Sequence, residues 1–106
     1  MDKEISLIIK KYKQKLEASG IRVKKIFLYG SHVTGNARKD SDIDLVVVSD
    51  DFESMDLWER LCLLGRARIG IKKPMEILGL TEKEFSAEHS GTFIGDEVKS
   101  KGIEAI

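Results

Sequence analysis

Three aspartates at alternate positions lead into a run of β-branched residues, and this stretch constrains the fold more than any other. The segment reads DSDIDLVVV, with Asp40, Asp42 and Asp44 at every second position. Residues 43–48 are typical of a buried central strand. Alternate side chains of a strand point the same way, so Asp42 and Asp44 share a face, roughly 7 Å apart along the chain. Like charges this close repel each other, which indicates either solvated turn residues or a cation site.

Apolar periodicity divides the remaining sequence into alternating helices and strands. The first half of the chain is predicted to contain a helix at 3–19, a strand at 21–29, a loop with a short helical turn at 30–41, and the strand at 43–48. A helix with the apolar stripe Leu57, Leu61 and Leu64 and a strand at 75–80 follow. The chain is then predicted to continue with a helix that starts at a capping box of Thr81 and Glu84, and to end in a tail with a short helix and an edge strand. This alternation predicts the α/β class, and a length of 106 residues predicts one domain over 1–106.

Charge, cysteine content and hydropathy exclude several broad functional classes. The 18 basic and 18 acidic residues cancel, which argues against bulk electrostatic binding of nucleic acid or of an anionic membrane. The single cysteine, Cys62, cannot form an intramolecular disulfide. No apolar run reaches the ~18 residues of a membrane span, and the N-terminal stretch MDKEISLIIKKYKQK lacks a signal-peptide core. We therefore expect a cytoplasmic protein without a membrane segment.

Two further features can complete a site around the aspartates. Glu76 is the only charged residue in PMEILGL, where a buried strand would carry an aliphatic side chain. Gly30 lets the backbone approach a ligand, and the loop that begins with Ser31 can hold an anion through backbone N–H groups. Mg²⁺ prefers carboxylate oxygens and brings phosphates as its other ligands. Two such ions ~4 Å apart can activate a hydroxyl and hold the leaving phosphates, so these residues predict nucleotide transfer from a triphosphate.

Simpler interpretations of the aspartates compete with a metal site. A lone D-x-D is most often a solvated turn. A calcium loop is excluded because Leu45 stands where a glycine is needed and Asp51 where a bidentate glutamate is needed. An aspartyl-nucleophile phosphatase would carry its apolar strand before the aspartates, whereas here the aspartates open the strand. The absence of G-x-x-x-x-G-K-[ST] and G-x-G-x-x-G removes support for P-loop and dinucleotide folds.

Several conspicuous residues are predicted to be structural. Asp40 is predicted to be a turn or cap residue, and Arg38 and Lys39 are predicted to be solvated loop charges. Cys62 is predicted to be a small packed side chain, and Trp58 a core or interface residue. None of them is therefore assigned to the site.

The spacing of these motifs resembles a known signature. Gly30-Ser31, ten intervening residues, then Asp42-Ile43-Asp44 on a strand is similar to the pattern of the DNA polymerase β-like nucleotidyltransferase superfamily. Within it, the chain resembles the minimal nucleotidyltransferases, small proteins often encoded beside a helical partner with a HEPN domain. The stretch GNARKDSDIDLVVV carries the most specific part of this resemblance, which extends over nearly the whole chain.

The resemblance implies a small mixed sheet flanked by helices and a role for each motif. Gly30 and Ser31 would hold the triphosphate of ATP or another nucleotide. Asp42 and Asp44 would bind Mg²⁺, two ions being expected. Glu76 would be the third acid, binding one ion and helping to deprotonate the attacking hydroxyl, although an aspartate is commoner there in the family.

The activity implied by the resemblance is transfer of AMP from ATP to a hydroxyl. A chain of 106 residues leaves no added domain for the acceptor, so the expected acceptor is a tyrosine on a HEPN-type toxin, with this chain as the antitoxin. One alternative is a non-catalytic antitoxin that neutralises its partner by contact. Another is a transferase acting on a small-molecule alcohol with help from a second subunit. Homo-oligomerisation stays open.

Overall fold

A four-stranded mixed sheet organises the chain, and helices cover both of its faces. The computed structural model describes residues 2–38 and 40–106, so the prediction for Lys39 lies outside the described residues. In chain order the elements are α1 (Lys3–Ala18), β1 (Lys25–Tyr29), α2 (Ser31–Thr34), β2 (Ile43–Val48), a 3₁₀ turn (Asp50–Ser54), α3 (Leu57–Arg66), β3 (Met75–Leu80), α4 (Glu82–Ala87), a π-helical segment (Ile94–Lys99) and β4 (Ile103–Glu104). This architecture confirms the predicted α/β class with a small mixed sheet.

The strand order is β3-β2-β1-β4, which places the aspartate-bearing strand inside the sheet. β1 runs antiparallel to both β2 and β4, and β2 runs parallel to β3 through the crossover that contains α3. In this register Asp44 lies beside Tyr29 of β1 on one side and beside Glu76 of β3 on the other. The pairing therefore brings together residues that are far apart in the sequence.

One face of the sheet packs against α1 and α3. Helix α1 buries Ile5, Ile9, Tyr12 and Leu16, and Asp2 caps the helix by accepting hydrogen bonds from the backbone N–H groups of its first turn. Tyr12 is fully buried, and its hydroxyl donates a hydrogen bond to the carbonyl of Leu64 at 2.8 Å. This bond satisfies a carbonyl near the C-terminal end of α3, where intrahelical donors run out.

The opposite face packs against α4 and the π-helical segment. Val46 and Val48 meet Phe85, Ile94 and Val98 there. Side chains alternate along a strand, so Asp44 and Glu76 lie on this second face of their strands. The predicted capping box of Thr81 and Glu84 is confirmed at the start of α4, and the predicted edge strand is β4.

Helix α3 faces the sheet differently from the prediction. The predicted stripe was wrong for Leu57 and Leu61, which are 69% and 43% exposed, whereas Leu63, Leu64 and Ala67 are buried. Arg60 explains this difference, because it lies one turn before Leu63 and Leu64 on the same side of α3. Its side chain is only 12% exposed. Because arginine is polar, the hydrophobicity pattern did not assign this position to the face of α3 that packs against the sheet.

The buried Arg60 side chain is held by several acceptors. Its Nε donates to the carbonyls of Phe52 and Met55 at 3.1 and 3.2 Å. Its Nη1 donates to the carbonyl of Gly79 at 3.2 Å and to Glu84 Oε1 at 2.6 Å. The guanidinium therefore ties α3 to β3 and α4, and it lowers the pKa of Glu84 by its hydrogen bond.

Three other predictions have definite outcomes. The strand predicted from residue 21 begins only at Lys25. Trp58 is 72% exposed, so the core interpretation was wrong for this residue, while an interface role stays a prediction. Cys62 is half-buried on α3, consistent with a partly packed side chain.

Among the described residues, no helix has the length and apolar character that a bilayer crossing requires.

Candidate active site

The site begins with the turn that follows β1. Gly30 has φ +78°, a conformation that favours glycine. A Cβ at this position would also collide with the Asp44 carboxylate, Oδ2 being the nearest atom. The backbone conformation therefore favours glycine here, and any larger residue would in addition make the Asp44 carboxylate shift. Ser31 follows as the first residue of α2 and is half-buried.

The predicted acids occupy one end of the sheet. Asp44 is half-buried at the start of β2, Asp42 is exposed just before the strand, and Glu76 is exposed on β3. The structure places Asp44 next to Glu76 in the parallel register and under Gly30. It therefore brings three of the five predicted residues, Gly30, Asp44 and Glu76, to one cavity, whereas Ser31 follows Gly30 in the chain and Asp42 lies just before β2, and neither of these two lines the cavity.

The electrostatics of Asp44 reflect this crowding. Burial raises the pKa of its carboxyl, and the negative charges of Glu76 and Asp42 raise the pKa further. His32 acts in the opposite direction but more weakly. A positive charge bound beside Asp44 would relieve this repulsion.

Asp44 and Glu76 open onto a cavity of about 410 Å³. Its lining includes Tyr29, Gly30, Phe93 and Glu97. The volume is within the range of pockets that take small-molecule ligands, roughly 300–1,000 Å³. A larger cavity of about 710 Å³ lies near Lys11 and Pro74, and neither Asp44 nor Glu76 lines it. We favour the smaller cavity because the acids and Gly30 meet there.

Four residues that line this cavity were not predicted from the sequence as site residues: Tyr29, Leu78, Phe93 and Glu97. Tyr29 directly precedes Gly30, and its pKa is raised to about 12 by burial and then by Asp44 and Glu76, so its hydroxyl stays protonated at neutral pH. Phe93 and Glu97 come from the tail. The position of Tyr29 next to the glycine could have identified it, whereas nothing local to Phe93 or Glu97 indicates the site.

The donor set of the cavity fits a hard divalent cation. Carboxylate oxygens are the ligands that Mg²⁺ prefers, and Asp44 lies between two further negative charges. Within residues 2–38 and 40–106, no group of three or more histidine, cysteine, aspartate or glutamate side chains is placed to hold a metal ion. The fit therefore rests on the carboxylate chemistry of Asp44 and Glu76, which line the cavity.

Comparison with known proteins gives a consistent assignment. The family model described as nucleotidyltransferase domain matches residues 5–100. No curated protein sequence matches the chain significantly.

Solved structures share the fold. A Sulfolobus solfataricus protein provisionally named a nucleotidyltransferase has a TM-score of 0.68 and 17% identity, covering 95% of this chain and 78% of that one. A toxin–antitoxin structure with AMP-PNP has a TM-score of 0.65 and 20% identity, covering 92% and 71%. Another protein provisionally named a nucleotidyltransferase has a TM-score of 0.50 and 30% identity, covering 80% and 86%.

Proposed function

Because the chain belongs to the nucleotidyltransferase domain family, we propose that it moves a nucleoside monophosphate, AMP from ATP, to a hydroxyl group. The observation that carries this proposal is the position of Asp44, between Glu76 and the glycine turn at one cavity. A metal-dependent triphosphate site needs carboxylates that bind the metal ion. It also needs a turn whose backbone N–H groups can bind the phosphates. In this proposal residues 1–106 act as one nucleotidyltransferase domain.

Each residue of the site has a role in this reaction. Gly30 and Ser31 hold the triphosphate through their backbone and hydroxyl groups, and Asp42, Asp44 and Glu76 hold Mg²⁺. When bound, Mg²⁺ supplies charge neutralisation of the phosphates and orientation of the reacting groups. Glu76 receives the proton of the attacking hydroxyl. That oxygen bonds to the α-phosphorus, the bond to the bridging oxygen breaks, and pyrophosphate leaves.

The acceptor that we propose is a tyrosine on a HEPN-type toxin, with this chain as its antitoxin. One of the structures similar in fold is a toxin–antitoxin complex with AMP-PNP, which supports both a nucleotide substrate and a protein partner. Leu57, Trp58 and Leu61 are exposed apolar side chains that lie close together on the surface of α3. Such surfaces are typical of protein interfaces, and this one supports a macromolecular acceptor.

The test is mass spectrometry of a HEPN-type protein encoded beside this chain, after incubation with ATP, Mg²⁺ and this chain. A mass gain of one or more AMP units is expected, and peptide mapping should place it on tyrosine. The chain with Asp42→Asn and Asp44→Asn is the control and should give no gain.

The alternatives predict different results in the same experiment. A partner that stays unmodified but binds both forms of the chain equally tightly would favour an antitoxin that acts by contact. A partner that is neither modified nor bound would favour transfer to a small-molecule alcohol.

A further inference from the structure

The cavity that holds Asp44 and Glu76 also has an aromatic wall to which the proposed reaction gives no role. Phe93 lines this cavity, yet its side chain is 58% exposed. Its ring meets the ring of Tyr29 edge-on, with centroids 5.7 Å apart and an angle of 81° between the planes. A T-shaped contact with Tyr29 covers at most one face of the Phe93 ring, and the side chain is 58% exposed, so a ring face is available to a ligand.

The backbone around Phe93 holds this ring in place. Phe93 immediately precedes the π-helical segment, in which Ile94, Gly95 and Val98 are buried. The N–H of Gly95 donates to the hydroxyl of Thr92 at 3.0 Å, and a Cβ at Gly95 would collide with a backbone carbonyl. Single π-helical turns occur frequently at functional sites. The exposed ring therefore projects from an anchored segment.

We propose that Phe93 stacks on the base of the nucleotide whose phosphates lie beside Asp44, an inference that rests on the proposed function. A nucleoside triphosphate has one end that needs cations and one that is planar and stacks. The cavity has the same division, with Asp44 and Glu76 as the acids and Phe93 as an exposed aromatic face. Stacking accepts every base because each has a π face, so Phe93 contributes affinity for nucleotides in general.

The experiment compares the binding of two ligands by isothermal titration calorimetry in the presence of Mg²⁺. ATP contains a base, and inorganic triphosphate is the matched ligand without one. Phe93→Leu should weaken ATP binding by about 5- to 100-fold, the range of stacking on a single base, and leave triphosphate binding unchanged. Phe93→Tyr should retain ATP binding. Trp58→Leu, which removes an aromatic side chain 72% exposed on α3, is the control and should bind both ligands normally.

A fluorescence measurement gives a second result from the same position. In a Trp58→Phe background, Phe93→Trp introduces the only tryptophan of the chain, because Trp58 is the single natural one. ATP should quench its emission by stacking, whereas triphosphate should not.

The outcomes separate this inference from the proposed function. ATP binding by Phe93→Leu that equals that of the unaltered chain would overturn the stacking role and leave the nucleotidyltransferase proposal intact. An equal loss of ATP and triphosphate binding would also overturn it, since the effect would then not involve the base. An unaltered chain that binds neither ligand would overturn both proposals.

Discussion

Replacing Asp44 by asparagine should make the metal-free protein more stable, although Asp44 is central to the proposed site. Burial and the charges of Glu76 and Asp42 raise the pKa of Asp44 in the folded state. A carboxyl with a raised pKa stabilises the fold only while it is protonated, and this contribution is lost as the pH rises through the folded pKa. At neutral pH the charged form therefore opposes folding. Asparagine keeps the shape and removes the charge.

The magnitude follows from the spacing of the sheet. Neighbouring strands lie about 4.8 Å apart, which puts the charges of Asp44 and Glu76 roughly 5–6 Å from each other. Their repulsion is about 0.8 kcal/mol in water and roughly 3 kcal/mol at a dielectric constant of 20. Because Glu76 is exposed and salt screens it, the lower value applies. We expect a gain of about 1 kcal/mol in the free energy of unfolding, which is roughly 4 °C in Tm.

Thermal unfolding followed by circular dichroism at low salt tests this expectation. The gain of Asp44→Asn should be present at pH 7 with EDTA and should shrink at acidic pH, where the unaltered chain protonates Asp44. Mg²⁺ should raise the Tm of the unaltered chain more than that of the variant, because the cation relieves the same repulsion.

The matched control is Asp50→Asn, because Asp50 has the opposite shift. Its pKa is lowered by hydrogen bonds from the Glu82 backbone and from Lys24, so removing this charge should give no gain. If Asp44→Asn were less stable than the unaltered chain at pH 7 without metal, the repulsion argument would be refuted. A gain that persisted unchanged at acidic pH would refute the electrostatic cause.

Two further substitutions test the glycine turn and the packing of α1 against α3. Gly30→Ala should lower the free energy of unfolding by about 1–3 kcal/mol, because the backbone conformation is strained for alanine and the alanine Cβ would meet the Asp44 carboxylate. Urea unfolding measures this loss of stability. Calorimetry should also show weaker binding of Mg²⁺-ATP. Unchanged stability and binding would contradict the turn geometry. Tyr12→Phe should lower the free energy of unfolding by about 1–2 kcal/mol, because it removes the buried hydrogen bond to the Leu64 carbonyl. An unchanged midpoint of urea unfolding would show that this hydrogen bond contributes nothing to stability.

Strands with strong local signals could be predicted from the sequence. The run at residues 43–48 consists of apolar residues around one aspartate, and the strand predicted at residues 75–80 is bounded by Pro74 and by the capping residue Thr81. Both strands appear at the predicted positions, as Ile43–Val48 and Met75–Leu80. Their boundaries were predictable because turn and cap chemistry acts over a few residues.

The face of α3 could not be predicted in the same way. A stripe of leucines indicated Leu57 and Leu61 as buried, but Arg60 takes the buried position and satisfies its donors on Phe52, Met55 and Gly79. Those acceptors are carbonyl groups of other elements. A hydrophobicity pattern counts an arginine as exposed, because it contains no information on distant acceptors.

The sequence by itself determined the chemistry of the candidate site. Gly30, Asp42, Asp44 and Glu76 stand out because a glycine turn and charged residues interrupt strands that are otherwise apolar. Only the tertiary structure decided which other residues share their cavity. Tyr29 reaches it through antiparallel pairing, and the tail adds Phe93 and Glu97, about 50 residues after Asp44. Local propensity acts over a few residues along the chain, whereas a cavity is formed by packing between elements that are distant in sequence.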